Sequence, residues 1–334
     1  MLGLVVAGLA VSALTAFSIG ANDLANSIAP LVGSGAMRFN QALIVFSVVV
    51  LTGAMVQGYM VIKTLGKGIV SDIDIIGAVS ASLAAFIWIM LATVKGIPIS
   101  TTHSITGGVI GIGIAYMLLS GKAGNLNLDI ISKILLSWVT SPLLAMVLAI
   151  PLYHLTERVF SQGNNGRVVP AAIAIASFAA YSFGANDVAN AVGVYISVTS
   201  KFLGLPDSDT MRLLTAFAVL FICLGGAVAG KRVVETLAYR VTRLDLLTSV
   251  AANADAIAVW LYTTVPFLLF GYGLPISTSY AAVGAIIGAG VAKHKSLRAL
   301  NLKLVLFIMF AWVITVPVTA LLAIAIYTLL SYIL

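Results

Sequence analysis

Ser18-Ile19-Gly20-Ala21-Asn22-Asp23-Leu24-Ala25-Asn26 returns in mid-chain as Ser182-Phe183-Gly184-Ala185-Asn186-Asp187-Val188-Ala189-Asn190. Each copy is attached to an apolar run, 2–19 in the first case and 168–183 in the second. A second pair follows each of them: Gly96-Ile97-Pro98-Ile99-Ser100-Thr101-Thr102 and Gly273-Leu274-Pro275-Ile276-Ser277-Thr278-Ser279. A third echo joins Trp138–Tyr153 to Trp312–Tyr327. Three matches in the same order indicate a duplication with a period of roughly 165–175 residues, far too long for a solenoid repeat.

Between these motifs the chain is apolar. Of its 334 residues 61% are hydrophobic and 9% charged, with a mean hydropathy of +1.12; soluble domains carry about 25% charged residues, which excludes an ordinary soluble enzyme. Apolar segments fall at 2–19, 40–62, 75–94, 104–119, 130–153, 168–183, 212–230, 246–270, 279–292 and 302–333. A span needs roughly 20 residues, so the expected fold is an all-α polytopic membrane protein with about 10–12 transmembrane segments. The run 2–19 resembles a signal peptide only superficially. No Lys or Arg precedes Arg38 and the run has a mid-chain counterpart, so it reads as a retained first helix.

The one polar linker of any length, 154–167, separates a first repeat (1–153) from a second (168–334). With five spans in each half, an odd number, the halves are expected to be inverted relative to each other, with broken or re-entrant helices at the midplane. Numbered in order, the odd loops carry 12 Lys and Arg and the even loops 6. The odd loops are therefore expected in the cytoplasm, and both termini outside the cell membrane. The net charge of +7 (18 − 11) belongs to those loops; no basic run or aromatic–basic alternation suggests nucleic-acid binding. Cys223 is the only cysteine and sits in an apolar run, so it forms no intrachain disulfide.

The repeated motifs carry the chemistry. An ionisable side chain at membrane depth costs about 2.5–3.5 kcal/mol on insertion scales and normally faces a cavity or a partner. One Asn-Asp pair at the end of a span could simply cap a helix; two copies at equivalent positions point to a site. Ser100-Thr101-Thr102 and Ser277-Thr278-Ser279 follow a proline that interrupts the helix. Consecutive hydroxyls opening the next helix, together with its free N–H groups, make an anion site. His103 has Tyr280 as its counterpart and lacks metal-binding companions, which suits a gating or supporting role for this pair. No Walker loop, nucleophile elbow or His-Glu-x-x-His is present, so ATP-driven pumping and embedded hydrolysis have no support.

Gly184–Ala191 and its near-copy Gly20–Ser27 resemble the signature of the inorganic phosphate transporter (PiT) family, and Pro98–His103 with Pro275–Ser279 resemble its other shared motif. The likeness covers both halves. It implies symport of inorganic phosphate with cations by a homodimeric carrier in the lipid bilayer, without catalytic residues or an organic cofactor. Phosphate ligands implied are Asp23, Ser100, Thr101, Thr102, Ser104, Asp187, Ser277, Thr278 and Ser279. Na⁺ ligands implied are Asn22, Asp23, Asn26, Asn186, Asp187 and Asn190, with Ser100 and Ser277. Neither motif holds a Lys or Arg, and two carboxylates beside phosphate repel it; bound cations offset that. Na⁺ is the expected coupling ion and H⁺ the alternative. A sulfate permease on the same scaffold, a channel and a membrane-embedded enzyme are the competing readings.

Overall fold

The computed structural model describes residues 2–62, 69–70, 73–120, 126–160, 165–203 and 207–333. The first half contributes α1 (Leu2–Gly33), α2 (Phe39–Gln57), α3 (Ile75–Val94), α4 (Thr101–Ser120) and α5 (Leu128–Phe160). The second contributes α6 (Asn165–Leu203), α7 (Ser208–Ala229), the short α8 (Lys231–Tyr239), α9 (Leu246–Ala252), α10 (Asp255–Phe270), α11 (Thr278–His294) and α12 (Leu302–Ile333). Among the described residues the sole β feature is an isolated bridge between Val70 and Leu126, and nine spans are long and apolar enough to cross a membrane. The ninefold count takes Leu246–Phe270 as one span and omits α11, whose 17 residues fall just short.

Two expectations change in detail. The apolar runs 2–19 and 168–183 stop at the Asn-Asp motifs, for which helix capping is the alternative to a site. In the structure α1 and α6 run straight through them, to Gly33 and Leu203. Hydropathy drops at the first Asn, but the backbone stays helical because these side chains find partners on other helices instead of competing for their own backbone. The polar stretch 154–167 is also largely helical: α5 runs on to Phe160 and α6 starts at Asn165, while residues 161–164, with Lys63, Lys67 and Lys122 of the loop census, lie outside the described residues.

The halves interlock rather than sit side by side. α1 packs along α7 as α6 packs along α2, and α4 packs along α12 as α11 packs along α5. The motif helices α1 and α6 also pack on each other. Lipid tails are as apolar as leucine, so close association needs small residues that let backbones approach. A side chain at Gly20 would collide with the carbonyl of Ile222, and one at Gly225 with that of Phe17. The other pair repeats this: Gly184 lies against the Val50 carbonyl and Gly53 against that of Tyr181. Overpacking costs about 1–3 kcal/mol where neighbours can yield, and a helix backbone yields poorly. Gly53→Leu and Gly225→Leu should each lower the apparent melting temperature sharply in detergent; melting unchanged from wild type would show that these crossings are looser than described.

Candidate functional site

Proline cannot donate to a helix and biases the residue before it away from helical angles. After α3 the chain turns at Gly96, in the left-handed region at φ 68°, and stays non-helical until Thr101. After α10 it does the same through Pro275 until Thr278. A buried non-helical segment leaves amide groups in need of partners, and the first Asn of each repeated motif supplies them. Asn22 donates Nδ2 to the Ile97 carbonyl (3.1 Å) and to Thr93 Oγ1 (2.9 Å), and accepts from Ile99 N (3.0 Å). Asn186 donates to the Ile276 carbonyl (2.9 Å) and accepts from Ile276 N (3.2 Å). Both amides are largely occupied in holding the broken helices.

The predicted hydroxyls divide into two groups. Ser100 Oγ accepts from His103 N (3.1 Å) and Ser277 Oγ from Tyr280 N (3.2 Å), so each caps the helix that follows it. Ser104 Oγ donates back to the Ser100 carbonyl (2.9 Å). Thr101, Thr102, Thr278 and Ser279 instead reach the carboxylates and amides. They are the first two residues of α4 and of α11, positions whose N–H groups a helix leaves unpaired.

Around them a single network crosses between the halves. Thr101 Oγ1 donates to Asp23 Oδ2 (2.5 Å) and Thr278 Oγ1 to Asp187 Oδ1 (3.3 Å). Ser279 Oγ lies 3.1 Å from Asp23 Oδ1 and 2.9 Å from the Ile99 carbonyl; its one proton serves one of them at a time. Thr102 Oγ1 donates to the Ile276 carbonyl (3.1 Å), the counterpart of the Ser279–Ile99 contact. Asn26 donates to Ser279 Oγ (3.1 Å) and Thr278 Oγ1 (3.3 Å), while Asn190 donates to Thr102 Oγ1 (3.1 Å) and Asp187 Oδ1 (3.3 Å). Once these amide nitrogens are committed, the side-chain oxygens of both Asn26 and Asn190 are left buried without a partner. Every one of these side chains is at most 3% exposed, so the site is closed to solvent. Among the described residues no Lys or Arg pairs with either aspartate.

His103 and Tyr280 turn away from this network into a stack of four rings. His103 lies between Trp138 (centroids 3.3 Å apart) and Tyr280 (4.3 Å), and Tyr280 stacks on Trp312 (3.7 Å). His103 Nδ1 also meets Ser100 Oγ at 2.5 Å, and Trp312 Nε1 donates to the Pro98 carbonyl (3.3 Å). The third sequence echo thus supplies the outer rings of the stack, although nothing in its residue types announces that partnership. Beside the stack an apolar cavity of about 420 Å³ is lined by Trp138, Pro142, Met146, Met309 and Trp312 among others; it offers phosphate nothing.

Buried carboxylates, amides and hydroxyls, brought together twice over inside membrane-length helices, define a membrane transport protein. A profile of the phosphate transporter family matches residues 19–173 and again residues 168–323, and the chain belongs to that family. It is a family of transporters, not enzymes. Among relatives, a candidate phosphate permease of Pyrococcus horikoshii is 30% identical over 92% of this chain and 93% of its own. The chloroplastic inorganic phosphate transporter 2-1 of Arabidopsis thaliana is 26% identical over 94% of this chain and 70% of its own. A solved structure named as the sodium-dependent phosphate transporter superposes with a TM-score of 0.85 at 26% identity, over 99% of this chain and 100% of that one.

Proposed function

We propose that this protein imports inorganic phosphate by symport with Na⁺, binding the cations first and the anion on them. The observation that carries this reading is the pair of unpartnered oxygens, Asn26 Oδ1 and Asn190 Oδ1, next to two carboxylates that no Lys or Arg among the described residues neutralises. Carboxylate, amide and hydroxyl oxygens are hard ligands suited to such cations. An unmet buried acceptor costs about 1–3 kcal/mol, which a bound cation removes. In this assignment Asp23, Asn26, Asp187 and Asn190 hold sodium. Asn22 and Asn186 hold the broken helices, and Ser100, Ser104 and Ser277 shape the α4 and α11 starts. Phosphate lies on the Thr101, Thr102, Thr278 and Ser279 hydroxyls and the helix N-termini behind them, each worth about half a positive charge. That positive charge is too small to balance two aspartates, hence the dependence on cations.

Labelled phosphate uptake into proteoliposomes, with the sodium gradient and the pH gradient imposed separately, tests the reading. A sodium gradient alone should drive accumulation. Accumulation driven by a pH gradient alone, indifferent to sodium, would transfer the coupling to H⁺ at the same aspartates. Transport of sulfate but not phosphate would remove the substrate assignment.

The same reading makes the two repeats inverted, the working unit a homodimer and the cell membrane its location, with both termini outside. Support for the orientation comes from the basic side chains that gather at one end of the bundle. Arg232 donates to the Val94 carbonyl (2.7 Å) beside Lys95, Tyr239 to the Val32 carbonyl (3.3 Å), and Asn301 N to the Val241 carbonyl (3.0 Å). These contacts bring Arg38, Lys95, Arg240, Arg243 and Arg298 to that end, all of them exposed. A cysteine placed at Arg240, in a Cys223→Ser background, should be reached by an impermeant maleimide only after the cells are opened. Labelling in intact cells would reverse the orientation.

A further inference from the structure

We infer that the break between α9 and α10 is a further cation site, apart from the repeated motifs, in which the Asp255 carboxylate and the Asn253 side-chain oxygen hold a sodium ion. The inference rests on the sodium reading above and adds a site to it.

The span from Leu246 to Phe270 is not continuous. α9 ends at Ala252, Asn253 leaves helical geometry (φ −96°, ψ 18°), and α10 begins at Asp255. Across the break the backbone bonds tighten to three-residue spacing: Ala254 N to the Ala251 carbonyl (3.0 Å) and Ala256 N to the Asn253 carbonyl (3.2 Å). Asn253 is fully buried and donates Nδ2 to the Ser249 carbonyl (3.1 Å), which fixes the amide so that Oδ1 faces away without a partner. Asp255, one residue further and 3% exposed, also leaves Oδ1 unpartnered. Among the described residues no Lys, Arg or His pairs with it.

Two buried acceptor oxygens two residues apart, each without a hydrogen-bond partner, ask for a cation. A proton on the carboxyl would neutralise the charge, but a cation satisfies both oxygens at once. Discontinuous membrane helices bind Na⁺ in this way, at unwound carbonyls and at the negative end of a half-helix, which here is the C-terminus of α9. The site is not a product of the duplication. The corresponding first-half span, Ile75–Val94, is unbroken and has no carboxylate within it. The break also touches the substrate network's scaffold, since Ser182, one turn before Asn186, donates to the Ala256 carbonyl (3.1 Å).

Equilibrium binding of ²²Na⁺ to the purified full-length protein in detergent tests the inference without transport. Asp255→Asn should bind one sodium fewer than wild type, and Asp255→Glu should retain it. Asp187→Asn should lose sodium from the repeated site while keeping the one at the break. Asn253→Asp, which places a second carboxylate at the break with little change of volume, should shift saturation to lower sodium concentration. That variant also carries the test if Asp255→Asn does not purify as a monodisperse protein. Wild-type stoichiometry in Asp255→Asn, or an Asn253→Asp curve no tighter than wild type, would overturn this site alone. A wild type that binds no sodium would instead overturn the sodium reading on which it rests.

Discussion

Asp187→Asn should abolish sodium-driven phosphate uptake while leaving a folded protein. The side chain keeps its volume but loses its charge and one acceptor oxygen. Asp187 accepts from Thr278 Oγ1, Asn190 Nδ2 and Asn186 Nδ2, so an amide in its place turns at least one donor against another. Removing one partner from a buried charged pair costs about 3–5 kcal/mol, and each 1.4 kcal/mol is tenfold. Cation-dependent uptake should therefore fall by about 10²–10⁴-fold. Asp23→Asn should fall by a similar factor, because Ser279 and Asn26 tie the first motif to the hydroxyls of the second half. Neither copy can stand in for the other in a shared network. The check is uptake at fixed phosphate with sodium varied, on protein verified as monodisperse. Wild-type sodium dependence in either variant would refute the assignment of the aspartates.

Sulfate should compete poorly with phosphate, and arsenate well. All three are tetrahedral oxyanions that hydroxyls and helix N–H groups would bind. Near neutral pH phosphate and arsenate keep at least one hydroxyl proton, whereas sulfate has none. An ionised carboxylate only accepts hydrogen bonds, so Asp23 or Asp187 welcomes that proton and repels a bare sulfate oxygen. The structure sharpens the contrast. Thr101 and Thr278 now donate to the carboxylates; rotating them onto an anion frees a carboxylate oxygen at the moment a P–OH arrives to fill it. Sulfate would take the hydroxyls and leave the carboxylate unmet. Sites built around such a hydrogen bond reject analogues lacking it by about 10⁴–10⁵. Since the carboxylates also serve cations, sulfate should inhibit labelled phosphate uptake at least about 10²-fold more weakly than arsenate, short of that limit. Equal inhibition by the two would remove the carboxylate from selectivity.

Much of this protein can be read locally along the chain. The membrane class follows from composition, and the duplication from three echoes in order. The helix breaks before Thr101 and Thr278 follow from Pro98 and Pro275 with a hydroxyl residue ready to cap the next helix. These breaks depend on residues within one turn of each other, where backbone sterics and short-range hydrogen bonds decide the outcome.

What only the assembled helices decide is which polar atom meets which. Identical Asn residues in one motif divide into a clamp for a broken helix (Asn22) and a side chain whose oxygen is left free (Asn26), and Asn186 and Asn190 repeat the division. Ser100 and Thr101 look alike in sequence, yet one caps its helix and the other reaches Asp23. The continuation of α1 and α6 through their motifs, the four-ring stack and the interruption at Asn253 belong to the same group. Their partners lie up to 256 residues away, as with Ser279 and Asp23. A buried polar side chain lowers its energy only where a complementary atom stands within about 3 Å, and interlocked packing of the two halves settles which atom that is.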